Sequence, residues 1–185
     1  MSRLRCRAAL GLTLLLLPAC ARDWVRENGV WRSTRAGFRI AEPAAVGGPD
    51  AVGGPGARWE RFDLEGAALA FRRGKLETMS LQTRCGRPVA SPAILAGHLV
   101  IGIPERTLRQ AGSLLVAGQS GWTQTFDARL ENRTVRLKTV TLVAAGCAYD
   151  LMLVSKGEFE PAERAFDAWV DSFALNDGAS AGGAP

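Results

Sequence analysis

The sequence predicts an α+β domain: an antiparallel sheet of about six strands carrying a buried helix and a C-terminal amphipathic helix. Three observations point there. Runs with a two-residue apolar period fill much of the chain between Trp59 and Ser155. Ala162, Ala165, Phe166, Trp169, Val170 and Phe173 then recur at helical spacing, with Glu163, Arg164, Asp167 and Asp171 opposite. Between the strand runs, Ser91-Pro92 opens a nearly all-apolar segment, with serine at a cap and proline at the first helical position.

The first element precedes the fold. A basic start (Arg3, Arg5, Arg7) leads into the apolar run Ala8–Leu17 and ends at Leu17-Pro18-Ala19-Cys20. A charged start, a short apolar stretch and a small residue before the cut mark an export signal, 1–19. The apolar run is too short to span a bilayer, which needs about 20 residues. Cysteine directly after a Leu-x-small triplet resembles the bacterial lipobox. That resemblance implies a diacylglyceryl group on the Cys20 thiol and an acyl chain, such as palmitate, on the freed amine. The alternative is an ordinary secretory signal that leaves Cys20 as a thiol. Two chains suffice for stable anchoring, and Ala21, with no aspartate next to the cysteine, implies the outer membrane, facing the periplasm.

Export also reframes charge and cysteine content. The whole chain carries 23 Lys+Arg against 18 Asp+Glu, a net +5. The three arginines of the signal leave with it, so 20 against 18 remain, and this excludes an electrostatic footprint for nucleic acid. Cys6 is discarded and Cys20 takes the lipid, leaving Cys85 and Cys147. In an oxidising compartment these are expected to form a disulfide; the alternative is two separate buried thiols.

The remaining elements follow in chain order. Residues 20–37 read as a lipidated tether, with Trp24 and Trp31 either at the membrane interface or packed on the domain. A single domain covers 38–175, beginning with a short strand at Phe38-Arg39-Ile40. Within 43–57, Ala45-Val46-Gly47-Gly48-Pro49-Asp50 is nearly repeated as Ala51-Val52-Gly53-Gly54-Pro55-Gly56, a flexible loop by composition. Trp59–Arg72 and Leu76–Cys85 read as two strands joined at Arg73-Gly74. Ala93–Ile103 is apolar on almost every side and is expected to be deeply buried. Strands are expected at Ser113–Ala117, Trp122–Leu130, Val135–Ala144 and Cys147–Ser155, and a disordered tail at 176–185.

This order is similar to the PsbP-like fold, which includes photosystem extrinsic proteins, the envelope lipoprotein DcrB and a Ran-binding release factor. The likeness rests on Phe38-Arg39-Ile40 with Trp59, Leu69-Ala70-Phe71, the run Val135–Val154 and Phe166–Phe173. It covers about 38–175 and extends to bacterial envelope lipoproteins with the same cysteine-strand and terminal-helix layout. It implies protein binding rather than a shared catalytic site, and fold alone does not assign function.

Little in the sequence speaks for chemistry. His98, the one histidine, lies in the apolar helix segment, where a packed histidine is the plainer reading than a general base. Gly118-Gln119-Ser120-Gly121 lacks the spacing and the strand-to-helix setting of a nucleophile elbow. Asp150 sits on an otherwise apolar strand, and a salt bridge to Arg84 or Arg136 is the expected explanation. No cofactor, metal or catalytic residue is assigned. The leading expectation is a non-enzymatic outer-membrane lipoprotein, an accessory or assembly factor docking on another envelope protein. The alternative is a carrier of a lipid or other apolar ligand held between the sheet and Ala93–Ile103.

Overall fold

The computed structural model describes residues 24–44, 58–86, 90–103, 105–130 and 132–176. The export signal, Cys20, residues 45–57 of the Gly/Pro loop and residues 177–185 lie outside them.

Two antiparallel sheets and two helices make up the fold. The larger sheet has seven strands: β4 (Glu60–Arg61), β5 (Leu69–Arg73), β6 (Glu77–Cys85), β7 (Arg106–Val116), β8 (Gln119–Leu130), β9 (Arg133–Ala144) and β10 (Cys147–Ser155). Their spatial order is β4-β5-β6-β10-β9-β8-β7. The smaller sheet has four, β1 (Trp24–Glu27), β2 (Val30–Ser33), β3 (Phe38–Ala41) and β11 (Ala174–Leu175), in the order β1-β2-β3-β11. The expected single sheet of about six strands is therefore corrected to seven plus four.

Much of the difference lies at the N-terminal end. Residues 24–33, read as part of a tether, are a hairpin of the fold. Its two-residue loop is Asn28-Gly29, both with positive φ (49° and 73°), as a type I′ turn requires. Trp31 is buried and Trp24 packs edge-on against Phe38, so both indoles belong to the domain. At the other end the fold runs past 175: the Asn176 side chain donates to the Ser33 carbonyl at 2.9 Å, and its backbone N–H to Gly37.

The stretch read as one strand, Trp59–Arg72, is two. A turn at 64–67, with Gly66 at φ 78°, separates β4 from β5. β7 starts at Arg106 rather than Ser113. It is an edge strand, so its first half has no covered face and shows no apolar alternation.

The register assigns side chains to the two faces of the large sheet. One face carries Leu69, Phe71, Met79, Leu81, Val140, Leu142, Tyr149, Leu151 and Leu153. Helix α2 (Phe159–Asp171) and the small sheet cover it. Phe159, Ala162, Ala165, Phe166, Trp169 and Val170 are the buried stripe of α2, as the helical spacing predicts. Trp169 meets Phe71 edge-on and donates from Nε1 to the Ala41 carbonyl at 2.9 Å. Phe38 packs on Tyr149 and Phe173, and the Tyr149 hydroxyl donates to the Ala36 carbonyl at 2.7 Å.

The opposite face receives α1 (Pro92–Leu99) over β8 and β9. Val100, Leu99 and Ile103 pack with Phe126, Ala128, Val135 and Leu137, and Gln124 Nε2 donates to the Ala96 carbonyl at 2.7 Å. Deep burial of Ala93–Ile103 is not what is found. Ala96 and Val100 are buried, while Ile94 and Ile101 are 54% and 67% exposed. A helix on the outer layer touches the sheet with one stripe only, whatever its remaining faces carry.

Candidate functional site

Cys85 and Cys147 are register partners at the adjoining ends of β6 and β10 and form a disulfide. The expected pair is therefore made. Cys20, the lipidation candidate, lies outside the described residues. Among those residues no helix is long and apolar enough to cross a membrane, and no cluster of three metal-ligating side chains occurs.

His98 is exposed on α1, and its imidazole has no hydrogen bond with the described residues. Ala117-Gly118 forms the β7–β8 turn, both residues with positive φ, and Ser120 is an exposed residue of β8. The run Gly118–Gly121 thus lies between antiparallel strands and not on a strand-to-helix turn. Asp150 is 2% exposed. It accepts a hydrogen bond from Thr141 Oγ1 at 2.9 Å and one from Arg84 at 2.6 Å. Of the two arginines considered, Arg84 is thus the partner. Burial pushes the Asp150 carboxyl above the usual carboxylate range, against the pull of Thr141 and Arg84. The Arg84 side chain is half exposed, so water screens much of its charge.

Arg136 instead serves Asp127. A bulge between Leu108 and Gln110 takes Arg109 out of the β7 ladder. Arg109 Nε then reaches Asp127 at 2.6 Å, and Arg136 Nε reaches it at 2.8 Å. Hydrogen bonds from Arg136, then Arg109, hold that carboxyl below its usual range. On α2, Glu163 and Asp167 both take the Lys138 ammonium, at 2.8 and 2.9 Å. Burial pulls that ammonium down, but the two acids outweigh it and raise its pKa.

Clefts occur among the described residues. One, of about 330 Å³, lies where the small sheet meets the disulfide end of β6, between Trp24, Ser33, Arg35, Thr83 and Cys85. Its lining mixes polar and apolar groups, and it is on the α2 side of the sheet. The carrier reading expected an apolar space beneath Ala93–Ile103, which the contacts of Val100, Leu99 and Ile103 occupy. The second cleft, about 280 Å³, opens at the start of α2 between Arg136, Lys156, Glu158 and Glu160, whose charges are of both signs.

Exposed apolar residues and an unpaired strand edge meet at β7. β7 closes one end of the seven-stranded sheet and has no strand on its outer side among the described residues. Ten of its eleven residues are exposed or half-exposed. Leu108 and Leu115 are 55% and 76% exposed, and by register both lie on the α1 side of the sheet. Ile94 and Ile101 stand exposed on and just after α1. The other end of the sheet is β4, only two residues long. None of these four apolar residues was singled out from sequence. The available signal was the all-round apolar character of Ala93–Ile103, which marks a second contact face as readily as a buried one.

No protein-family model matches the sequence, and no curated protein matches it. Solved structures do. CyanoP, the PsbP of Synechocystis sp. PCC 6803, superposes with a TM-score of 0.55 at 14% identity, over 79% of this chain and 91% of that one. A Bacteroides thetaiotaomicron VPI-5482 protein gives 0.53 at 12% identity. That alignment takes in 81% of this chain and 49% of the other, so this chain spans about half its length. A Mog1 mutant gives 0.51 at 9% identity over 77% and 92%. At such identities the likeness is one of fold, and the fold is PsbP-like.

Proposed function

We propose that this protein is a non-enzymatic accessory factor of the bacterial envelope, anchored through a lipidated Cys20, that docks on another envelope protein through the β7 edge and the exposed side of α1. The observation that carries the reading is β7: a long sheet edge with no strand on its outer side among the described residues, carrying the exposed Leu108 and Leu115, with the exposed Ile94 and Ile101 on the same side of the sheet. Such an edge is a liability that proteins usually blunt or cover. An extended segment of a partner satisfies it by adding a strand, and apolar side chains beside the edge supply specificity. The bulge and Arg109 blunt only the first half; Gln110–Val116 carries no charge and no proline. In support of a non-catalytic role, the buried acid Asp150 is engaged by Thr141 and Arg84, and the His98 imidazole has no hydrogen bond among the described residues.

A photo-crosslinking residue at Leu115 or Leu108 of the full-length lipoprotein in cells tests this. Both positions should trap the same envelope protein. The exposed turn residue Lys75, at the opposite side of the sheet, should not, and Leu115→Arg should abolish the adduct formed from Leu108. Equal labelling from Lys75, or no adduct from either leucine, would overturn the docking assignment.

A further inference from the structure

The small sheet has an outer face with an unusual charge arrangement. Its register places Trp24, Ser33, Phe38 and Leu175 in one row facing the core, and Val25, Arg32, Arg39 and Ala174 in the next row, facing away. Arg32 and Arg39 are thus direct cross-strand neighbours. Like charges in that position destabilise a sheet pair. Several other arginines have acidic partners: Arg26 with Glu42, Arg61 with Asp63, Arg72 with Glu60 and Arg73 with Glu77. Among the described residues Arg32 and Arg39 have no acidic partner. Among the described residues of the four strands, the carboxylate on their face is Glu27, opposite Val30 and diagonal to Arg32. Val25, beside Arg32, is 43% exposed.

The chain's own geometry says what meets this face. β1 begins at Trp24, four residues after Cys20, and four residues reach at most about 14 Å. A domain of this size is roughly 40 Å across. A lipid on Cys20 therefore keeps the β1 edge of the small sheet close to the bilayer, while most of the domain lies further out.

We infer that the outer face of β1-β2-β3-β11 is a membrane-docking surface that lies on anionic phospholipid headgroups. Arg32 and Arg39 engage the phosphates, and Val25 enters the shallow apolar zone beside them. The inference rests on the lipid anchor proposed above.

The test uses the mature lipoprotein with Val25→Cys, its one free thiol when the Cys20 thiol carries a diacylglyceryl group and Cys85–Cys147 is oxidised. The thiol carries a fluorescent dye, and the protein is reconstituted into phosphatidylcholine vesicles with or without phosphatidylglycerol, with a headgroup quencher. Phosphatidylglycerol should raise quenching at position 25 and salt should reverse it. A dye on His98→Cys, on the far side of the large sheet, should not respond. Each arginine near an anionic surface is worth about a fivefold bias, so Arg32→Gln with Arg39→Gln should lower the docked-to-undocked ratio about 25-fold. Arg133→Gln, which removes a charge elsewhere, should leave it unchanged. Retained tryptophan emission and an intact disulfide show that the variants are folded. A lipidated protein whose position-25 quenching ignores lipid charge and both arginines overturns the docking surface and leaves the anchor standing. Self-quenching at position 25 that rises with protein density means that a second copy covers the face, which overturns it too. An N-terminal peptide whose mass shows Cys20 unmodified removes the anchor and the inference together.

Discussion

Removing the Cys85–Cys147 disulfide, as Cys85→Ala with Cys147→Ala, is expected to cost about 4 kcal/mol. The two cysteines are 62 residues apart in sequence, so the bond closes a long loop in the unfolded chain. The chain-entropy relation gives about 14 cal/mol/K for a loop of that length, or about 4 kcal/mol at 25 °C. The folded state loses little in comparison. β6 and β10 are paired along nine register partners whether or not the last pair is bonded, and alanine fits where Cys147 is buried. Against a usual stability of 5–15 kcal/mol, a loss of that size removes a large share. The assay is equilibrium urea unfolding of the chain from residue 21 onward, with and without the pair. Because the effect acts on the unfolded ensemble, the m-value should rise as that ensemble expands. A loss below about 1 kcal/mol at an unchanged m-value would show that the 62-residue loop is already closed by residual structure in the unfolded chain, and the reasoning would be wrong.

Asp150 gives a pH signature. Its folded pKa is raised by burial, so above the ordinary carboxylate range the folded state keeps a proton the unfolded state has lost, and stability falls as pH rises through that window. Asp150→Asn keeps an acceptor for Thr141 and should flatten the slope and raise the urea midpoint at pH 7; a fall exceeding about 1 kcal/mol would mean the Arg84 pair dominates. Tyr149→Phe leaves the buried Ala36 carbonyl without its donor and should cost about 1–3 kcal/mol in thermal unfolding, and an unchanged Tm would show that the bond contributes nothing. Two glycines offer a matched contrast. A Cβ on Gly121 would lie 2.5 Å from Leu142 Cδ2 and 3.0 Å from the Thr141 carbonyl, whereas one on Gly112 meets nothing within 4 Å. Gly121→Ala should therefore cost about 1–3 kcal/mol and Gly112→Ala stay within about 0.5 kcal/mol; equal effects in urea melts would contradict the packing described here.

What sequence reasoning recovered has one physical origin. β6, β8, β9 and β10 were legible because each turns a largely buried row with apolar residues to α1 or to α2 and the small sheet, and α2 carries an unbroken stripe for the same reason. The hairpin β1–β2 is short, and its exposed positions Val25, Arg26, Glu27 and Arg32 blur the alternation, so composition made it look like a tether. Asn28-Gly29 was the usable signal, since a type I′ turn favours that dipeptide. β11 was invisible by any local rule: two residues become a strand only because Asn176 and Ser172 fasten that segment to β2 and β3. The exposed side of α1 was misread because hydrophobicity reports that a surface needs covering, not which molecule covers it.

The two proposed contacts are compatible because the large sheet separates them. The small sheet lies on one of its faces, while α1 and, by register, Leu108 and Leu115 lie on the other. Packed layers are about 10 Å apart, so the β7–α1 surface stands roughly two layers from the outer face of the small sheet. That exceeds the Debye length of about 8 Å at physiological ionic strength, so headgroup charge at Arg32 and Arg39 has little electrostatic reach to Arg106 and Arg109. Docking on the bilayer would then act on partner binding through geometry, by turning the open β7 edge away from the membrane. It follows that Arg32→Gln with Arg39→Gln should weaken crosslinking from Leu115 only as far as it lets the domain tumble on its anchor, and a shorter reach between Cys20 and Trp24 should restore it. Crosslinking that stays lost when the reach is shortened would place Arg32 and Arg39 in contact with the partner itself.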